Sequence, residues 1–300
     1  MDVLVSICVV TYNSENTIIE TLDSVKNQSY QNIELIISDD NSSDMTVDVC
    51  EKWLDLNKNR FVASQIVTTT NNTGPSGNYN RAIAVCKGDW IKPLDGDDVL
   101  FPNCISEFIL YVNNHPDSKW VTCKAKYYIE KIDDNHFDLE TTTKKYTESY
   151  KNQFKLPNDL LLKKMAYHHN IVSVAIIYNK EIIQKLGGYD EKYPMCEDFP
   201  FDMRALEAGY AIDYMDMFLV GYRRNSTSIT SSSSKKLFNI NYCKSEYKAT
   251  SDICFKYFSS KEKVKRKYRY YLQTLMELFG MNKNIAPFRI FYKTLLKISY

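Results

Sequence analysis

The sequence predicts an α/β protein: an open, mostly parallel sheet flanked by helices, with a helical, basic C-terminal tail. Three observations predict it. Four apolar runs of strand length punctuate the first hundred residues. Between them lie segments with apolar residues at helical spacing, the alternation that builds a parallel sheet through crossover connections. Polar clusters follow the apolar runs directly, where open parallel sheets bind their ligands.

Leu4 to Val10 is a continuous apolar run, suited to a strand buried on both faces. Ser14 or Asn16 is placed to cap a helix carrying Ile18, Ile19, Leu22 and Val25. Ile33 to Ser38 is a second strand, and Ser42-Ser43-Asp44 opens a helix with Val47, Val49, Cys50, Trp53 and Leu54. Gln65 to Thr68 is a short third strand. A polar loop from Asn71 to Gly77 leads into a helix through Ala84, and Trp90 to Leu94 is the fourth strand. The alternation loosens after Phe101. Lys119 to Ile129 reads as extended, Asp133 to Lys155 as an exposed polar loop, and Ile171 to Tyr178 as regular again. Lys180 to Leu186 is a short helix stopped by Gly187-Gly188, and Asp198 to Ala208 a helix ending at Gly209. Ser231 to Ser234 with Lys235-Lys236 reads as a linker. The expected organisation is a main domain over 1–230, divided into 1–100 and 101–230, and a tail over 231–300.

Composition sets limits on function. The 44% hydrophobic and 25% charged residues belong to a soluble globular chain. A net charge of +1 hides an asymmetry: from Lys235 onward 15 Lys and Arg face 4 Asp and Glu, so the tail carries +11 and the rest −10. Aromatic residues interleave with the basic ones, as in Lys263 to Tyr271. Such a tail suits an anionic membrane surface, a single-stranded nucleic acid, or packing on the body with solvated lysines. Met1-Asp2-Val3-Leu4 shows no basic region ahead of an apolar run, so no secretory leader is expected. No stretch reaches the ~18 to 20 uninterrupted apolar residues that would span a bilayer. None of the 8 cysteines form a Cys-x-x-Cys pair, and several sit in apolar runs, the pattern of reduced, buried thiols in a cytoplasmic protein.

The polar clusters are Thr11-Tyr12-Asn13, Asp39 to Asp44, and Asp95-Gly96-Asp97-Asp98. Each alone reads as a capping turn. Converging on one sheet edge, they read as one site. Carboxylates crowded at Asp95, Asp97 and Asp98 repel one another unless paired. A hard divalent cation relieves that repulsion, since Mg²⁺ or Mn²⁺ takes one or two carboxylates together with phosphate oxygens. The spacing is not an EF-hand: Val99 stands where the fifth ligand would be and Ser106 where the glutamate would be. Gly74-Pro75-Ser76-Gly77 lacks the Lys-Ser/Thr of a P-loop. Glu197-Asp198 precedes a helix, where an acidic pair can simply complement the helix dipole.

Taken in order, Ser6 to Asn13, Ile36 to Asp44, Gly74 with Asn80-Arg81-Ala82, Leu94 to Asp98, and Gly187-Gly188-Tyr189-Asp190 followed by Glu197-Asp198 resemble the signatures of family 2 glycosyltransferases. The resemblance covers residues 4 to 230. It implies the A-type glycosyltransferase fold with its nucleotide-binding sheet, a nucleoside diphosphate sugar donor (usually with uracil), Mn²⁺ or Mg²⁺, and inversion at the anomeric carbon. By the same resemblance the base is held near Thr11, Tyr12 and Asn13 and by Asp39, with Asn80 and Arg81 also on the donor. The ribose faces Asp95 and Gly96, Asp97 ligates the metal, and Asp198 takes the proton of the acceptor hydroxyl, tuned by Glu197. Family members often carry a His where Asn225 stands, so Arg223 or Arg224 is expected to meet the diphosphate instead. His168-His169 lacks a third metal ligand at fitting spacing, which leaves His169 an acceptor-side or structural role.

The implied function is a hexosyl transfer from a UDP-sugar to a hydroxyl of a glycan or lipid-linked acceptor, in surface polysaccharide synthesis. The implied place is the cytoplasm or the inner face of the plasma membrane, reached through residues 235–300. Nucleic acid is not an expected partner of such an enzyme. Two rivals remain in view. A sugar-nucleotide pyrophosphorylase would open with a Gly-rich, basic loop, and Thr11-Tyr12-Asn13-Ser14 is not one. A catalytically silent member that only binds nucleotide or glycan is expected to lack Asp97 or Asp198, and both are present.

Overall fold

A computed structural model describes residues 3–224 and 235–298. Asn225 and the serine run at 231–234 lie outside the described residues, as do the expectations placed on them. The strands are β1 (Val5–Thr11), β2 (Ile33–Asp39), β3 (Ala63–Val67), β4 (Trp90–Asp95), β5 (Val99–Leu100), β6 (Trp120–Ile129), β7 (Ile176–Asn179) and β8 (Asp213–Arg224). The helices are α1 (Ile18–Lys26), α2 (Thr46–Asn57), α3 (Gly74–Val85), α4 (Cys104–Asn114), α5 (Leu139–Lys145), α6 (Glu148–Gln153), α7 (Asn158–Tyr167), α8 (Lys180–Leu186), α9 (Asp198–Glu207), α10 (Ile240–Ala249), α11 (Ser260–Leu278) and α12 (Ala286–Ile298).

One sheet runs in the order β3-β2-β1-β4-β7-β6-β8-β5. The strands β3, β2, β1 and β4 are parallel, as the alternation of apolar runs and helices predicts. Beyond β4 the sheet is mixed: β7 is antiparallel to both β4 and β6, β8 is parallel to β6, and β5 is antiparallel to β8. Every residue of β1 and β2 is buried, which is why both are mostly apolar; the polar Ser6 and Glu34 inside them pair with each other, the Ser6 hydroxyl donating to the Glu34 carboxylate at 2.5 Å. Alternation divides their side chains between two cores. Val5, Ile7 and Val9 join Leu22, Trp53 and Phe108 from α1, α2 and α4. Cys8 and Val10 join Tyr79, Leu161, Ile182 and Phe201 from α3, α7, α8 and α9.

Several local expectations are corrected. No side chain caps α1; the N–H groups of Thr17 and Ile18 donate to the Ser14 carbonyl, both at 2.9 Å, and the Ser14 hydroxyl and Asn16 amide do not serve. The segment 133–155 is not an exposed loop. It holds α5 and α6, of seven and six residues, too short and too polar to show a periodic stripe. The Asp138 carboxylate caps α5 by accepting the Thr141 N–H, and the Thr147 hydroxyl caps α6. Tyr146 and Tyr150, one turn apart, meet edge-on at 5.1 Å, and the Tyr146 hydroxyl accepts the Ala125 N–H at 2.7 Å. The helices α4 and α7 and the long strand β8 were also not read from the sequence.

The C-terminal segment is helical, as expected, and packed. A turn of π-helix at Thr250–Cys254 follows α10. Ala249, Cys254 and Phe258 enter the core shared with α7 and α9, while Phe238, Cys243, Leu272 and Met276 form a small core of their own. All eight cysteines are free and buried. Among the described residues no helix is long and apolar enough to cross a membrane.

One buried side chain ties distant segments together. Arg223 of β8 donates from Nε to the Asp97 carbonyl at 2.7 Å and from Nη1 to the Glu130 carbonyl at 2.8 Å. Its Nη2 pairs with Glu20 of α1, and its backbone N–H donates to Asp98 Oδ1 at 2.7 Å. Three segments therefore converge on one residue of a fourth, β8. Arg224, by contrast, pairs with Asp138 from a position where its side chain is 42% exposed. Arg223→Met should lower unfolding free energy by about 3 kcal/mol, because charge-assisted hydrogen bonds are lost and two carbonyls lose their donor. Arg224→Ala should cost about 1 kcal/mol, since the arginine of this pair is partly exposed while Asp138 is mostly covered. Urea unfolding of the two variants checks the contrast; equal losses would contradict it.

Candidate active site

A cleft of about 1400 Å³ opens at the carboxyl ends of β1 and β4. Its wall includes Thr11, Tyr12, Asn13, Asp95, Gly96, Asp97, Glu197, Asp198, Arg223 and Arg224, so the structure brings together ten of the residues singled out from the sequence. Asp39, Asn80, Arg81 and His169 do not line it.

The first wall is the loop after β1. Tyr12 stands half exposed, its ring unclaimed by the core. Asn13 adopts a left-handed backbone (φ 51°), and its Oδ1 accepts the Ser43 N–H at 2.8 Å. The Asn13 N–H donates to the Ser42 hydroxyl at 2.8 Å, which joins this loop to the one after β2. Asp39 sits behind that junction. Its carboxylate accepts the Ser42 N–H at 2.9 Å and the Ser42 hydroxyl at 2.5 Å, so it shapes the turn and does not face the cleft. The neighbouring Asp40 reaches the wall instead and accepts from Thr73 and the Gly74 N–H.

Arg81 and Asn80 serve this framework as well. Arg81 pairs with Asp40 at 3.0 Å and also donates to the Asp39 carbonyl. Asn80 takes the Tyr189 N–H on Oδ1 (2.8 Å) and gives Nδ2 to the Tyr189 carbonyl (2.9 Å). It thereby pins the Gly187-Gly188-Tyr189 turn. Gly188 has φ +75°, and a Cβ there would lie 2.6 Å from Asn80 Oδ1, so this turn and this asparagine require a glycine.

At the floor, the acidic turn after β4 sends its carboxyl groups into three environments. Asp95 accepts the Tyr79 hydroxyl at 2.7 Å. Burial, and then the charge of Asp97, push the Asp95 carboxyl up to about 6. Asp98 points inward: Oδ1 takes the Arg223 N–H, Oδ2 has no partner among the described residues, and burial holds its pKa well above the usual range. Asp97 faces the cleft. Gly96 lets the turn approach β1, donating its N–H to the Val10 carbonyl at 2.9 Å. Beneath lies the fully buried Lys92, whose Nζ donates to the carbonyls of Pro93 and Val174.

Asp198 opens α9 at the cleft, its Oδ1 accepting the Phe199 N–H at 2.6 Å. Beside it, desolvation and the charges of Asp198 and Asp95 raise the Glu197 pKa well above its usual value. His169 lies apart, Nε2 2.8 Å from Asp202 Oδ2, and Asp202 also accepts the Tyr178 hydroxyl at 2.8 Å. Burial alone would lower the His169 pKa; the bond to Asp202 and the charges of Asp198 and Asp202 raise it.

Among the wall residues that the sequence reading missed, two carry charges that bear on the site. Glu20 is a cleft residue paired with Arg223. Lys145, at the end of α5, was placed in a loop. It lines the cleft and donates Nζ to the Asn170 carbonyl at 2.5 Å, and burial lowers its pKa to about 8, against the charge of Asp198. The Asp138 cap seven residues earlier was the available signal for its helix.

Among the described residues no group of three or more His, Cys, Asp or Glu is arranged to enclose a metal by itself. The turn instead offers the floor carboxylates Asp95 and Asp97. That donor set fits a hard cation that completes its shell with phosphate and water, as Mg²⁺ and Mn²⁺ do.

Comparison with known proteins identifies the family and the fold. The family described as Glycosyl transferase family 2 matches residues 6–187, more than half of the chain. A UDP-Glc:alpha-D-GlcNAc-diphosphoundecaprenol beta-1,3-glucosyltransferase of Escherichia coli, WfaP, is 29% identical over 237 residues, covering 78% of this chain and 82% of the relative. An uncharacterized glycosyltransferase of Methanocaldococcus jannaschii is 24% identical over 258 residues, covering 84% and 82%. Among solved structures, S. aureus TarS 1-349 in complex with UDP-GlcNAc superposes with a TM-score of 0.62 at 19% identity, over 89% of this chain and 71% of that one. The mannosyltransferase PcManGT from Pyrobaculum calidifontis, in complex with GDP-Man and Mn²⁺, gives 0.55 at 15% identity, over 100% and 70%. The chain belongs to glycosyl transferase family 2 and has the A-type glycosyltransferase fold.

Proposed function

We propose that this glycosyltransferase moves a hexose, with inversion, from a UDP-sugar to a hydroxyl of a lipid-diphosphate-linked glycan in surface polysaccharide synthesis. One observation carries the reading: the acidic turn and Asp198 line one cleft at the carboxyl edge of a parallel sheet, close enough for the charge of Asp198 to act on Asp95. The acceptor class follows WfaP, whose name gives a sugar on diphosphoundecaprenol as its acceptor.

In this scheme Tyr12 offers its exposed ring to the base, and Thr11, Asn13 and the turn held by Asp39 form the rest of the base pocket. Asp95 and Gly96 meet the ribose. Asp97 holds Mn²⁺ or Mg²⁺ with the diphosphate, and the ion supplies neutralisation of the charge on the leaving oxygens. Arg223 and Arg224 are engaged by Glu20 and Asp138, so their part at the diphosphate is to fix the wall. Asp198 accepts the acceptor hydroxyl's proton while the new C–O bond forms and the bond to the diphosphate breaks. A sugar hydroxyl is a poor nucleophile until that proton has somewhere to go.

Exposed residues of the tail support a membrane-surface location for this activity. Tyr271, Leu275, Leu278 and Phe279 are exposed along one side of α11, and Ile290 and Phe291 are exposed on α12. Lys267, Lys283, Arg289 and Lys293 are exposed among them. Exposed apolar residues ringed by lysine and arginine match an anionic lipid surface, at the inner face of the membrane where a lipid-linked acceptor resides.

Three measurements test these assignments. Asp97→Ala should remove the metal dependence of UDP binding in calorimetry, and chelator should mimic it in the wild type; equal UDP affinity with and without Mn²⁺ in the wild type refutes the metal role. Asp198→Asn should slow transfer by ~10² to 10⁴ with donor affinity near wild type. Near-normal transfer by that variant moves the base elsewhere, and wild-type binding without any turnover makes the chain a silent member of the family. Finally, Leu278→Glu with Phe279→Glu in the full chain should abolish sedimentation with phosphatidylserine vesicles at low salt. Both side chains are about three-quarters exposed, so the fold should not change; a wild type that ignores such vesicles ends the membrane assignment.

A further inference from the structure

The C-terminal helices do more than cover the body. A second cavity, of about 380 Å³, lies where the end of α7 and the start of α9 meet α10 and α11. Its volume falls within the ~300–1,000 Å³ of small-ligand sites. Three residues, Cys196, Asp198 and Tyr242, line both this cavity and the main cleft, so the two spaces meet at one carboxylate. Building on the reading of Asp198 as the base, we propose that this cavity is the acceptor subsite and holds the sugar whose hydroxyl is glycosylated.

A base in a single displacement must touch the hydroxyl proton while the donor occupies the side of the cleft that holds Asp95 and Asp97. The acceptor then has to approach Asp198 from another side, and the second cavity provides one. Its lining suits a sugar. Rings of Tyr167, Phe199 and Tyr242 offer flat apolar surface for C–H faces, and Glu246, Arg269 and His168 offer hydrogen-bonding groups for hydroxyls. Desolvation, and then the charges of Lys145, His169, Arg266 and Lys164, lower the His168 pKa and so favour the neutral ring, which has one donor and one acceptor nitrogen.

The wall is built rather than accidental. Arg266 of α11 takes Glu262 with Nε at 2.7 Å and donates from Nη2 to the Tyr167 carbonyl at 2.8 Å. Its guanidinium also lies 5.4 Å from the Phe258 ring centre. These bonds fasten α11 across the end of α7 and close the cavity on that side. The tail thus has two functional faces: an exposed apolar one, and an inner polar one that completes the site for transfer.

The test uses the full chain loaded with UDP and Mn²⁺. It is applied to an immobilised panel of bacterial oligosaccharides, simple methyl hexosides and sugar α-diphosphates. At least one sugar should bind, and His168→Ala and Arg269→Gln should each weaken that binding tenfold or more. UDP affinity should stay within twofold of wild type in both, and Arg269→Lys should recover part of the loss. Binding of bare diphosphate in place of any sugar, no bound sugar at all, or sugar binding unchanged in both variants overturns the proposal. The donor reading is scored separately by slow hydrolysis of a UDP-sugar panel without acceptor. Hydrolysis by a chain whose variants bind sugar normally refutes the subsite alone, whereas no hydrolysis of any donor refutes the parent reading.

Discussion

Three carboxylates within four residues cannot be left together in a protein interior, and the architecture around β4 is the answer to that constraint. Each is given a different environment. Asp95 accepts the Tyr79 hydroxyl, Asp98 accepts the Arg223 N–H, and Asp97 lines the cleft. Arg223 supplies the rigidity, because its guanidinium fixes the carbonyls of Asp97 and Glu130 and reaches back to Glu20. Strand β8 must therefore return to the sheet beside β5 and β6, and α1 must begin where Thr17 can donate to the Gly96 carbonyl. A charge problem in one turn thus sets the positions of a helix and three strands.

Much of this was legible in the sequence where burial is complete. The strands β1, β2 and β4 are buried along nearly their whole length, so their apolar runs stand out, and the polar clusters after β1 and β4 mark the site. What stayed hidden depends on contacts distant in sequence. Arg223 and Arg224 read as diphosphate ligands because their acidic partners lie 203 and 86 residues away. The choice between Asp39 and Asp40 depends on Ser42 and on Thr73, and local pattern cannot decide it. Lys145 was lost with its short helix, whose two turns carry too few apolar residues to show a period. Strand β8 alternates irregularly in burial and so gave no clean signal.

The C-terminal helices show how one composition can meet two demands. The basic, aromatic character of the tail pointed to a surface. Packing uses part of it: Ala249, Cys254 and Phe258 enter the body's core, and Arg266 fastens α11 to α7. The residues left outside, Leu278, Phe279 and Ile290 among them, are those that packing does not explain. Charge counting alone could not have divided the tail this way, since lysines and arginines occur on both sides.

The bond between Asp98 and Arg223 spans 125 residues, and that distance bears on how the chain is made. A nascent polypeptide emerging from the ribosome exposes the acidic turn long before its clamp exists. The strands β1 to β4 could already pair, since their ladders are parallel and close in sequence. Such a half-made sheet would keep β4 as an open edge and Asp98 without the N–H that satisfies it. Open edges recruit other chains. A message truncated between β4 and β7 should therefore yield not a smaller nucleotide-binding protein but a sticky intermediate. Release from that state waits on β7 for the edge of β4 and on β8 for the N–H that satisfies Asp98.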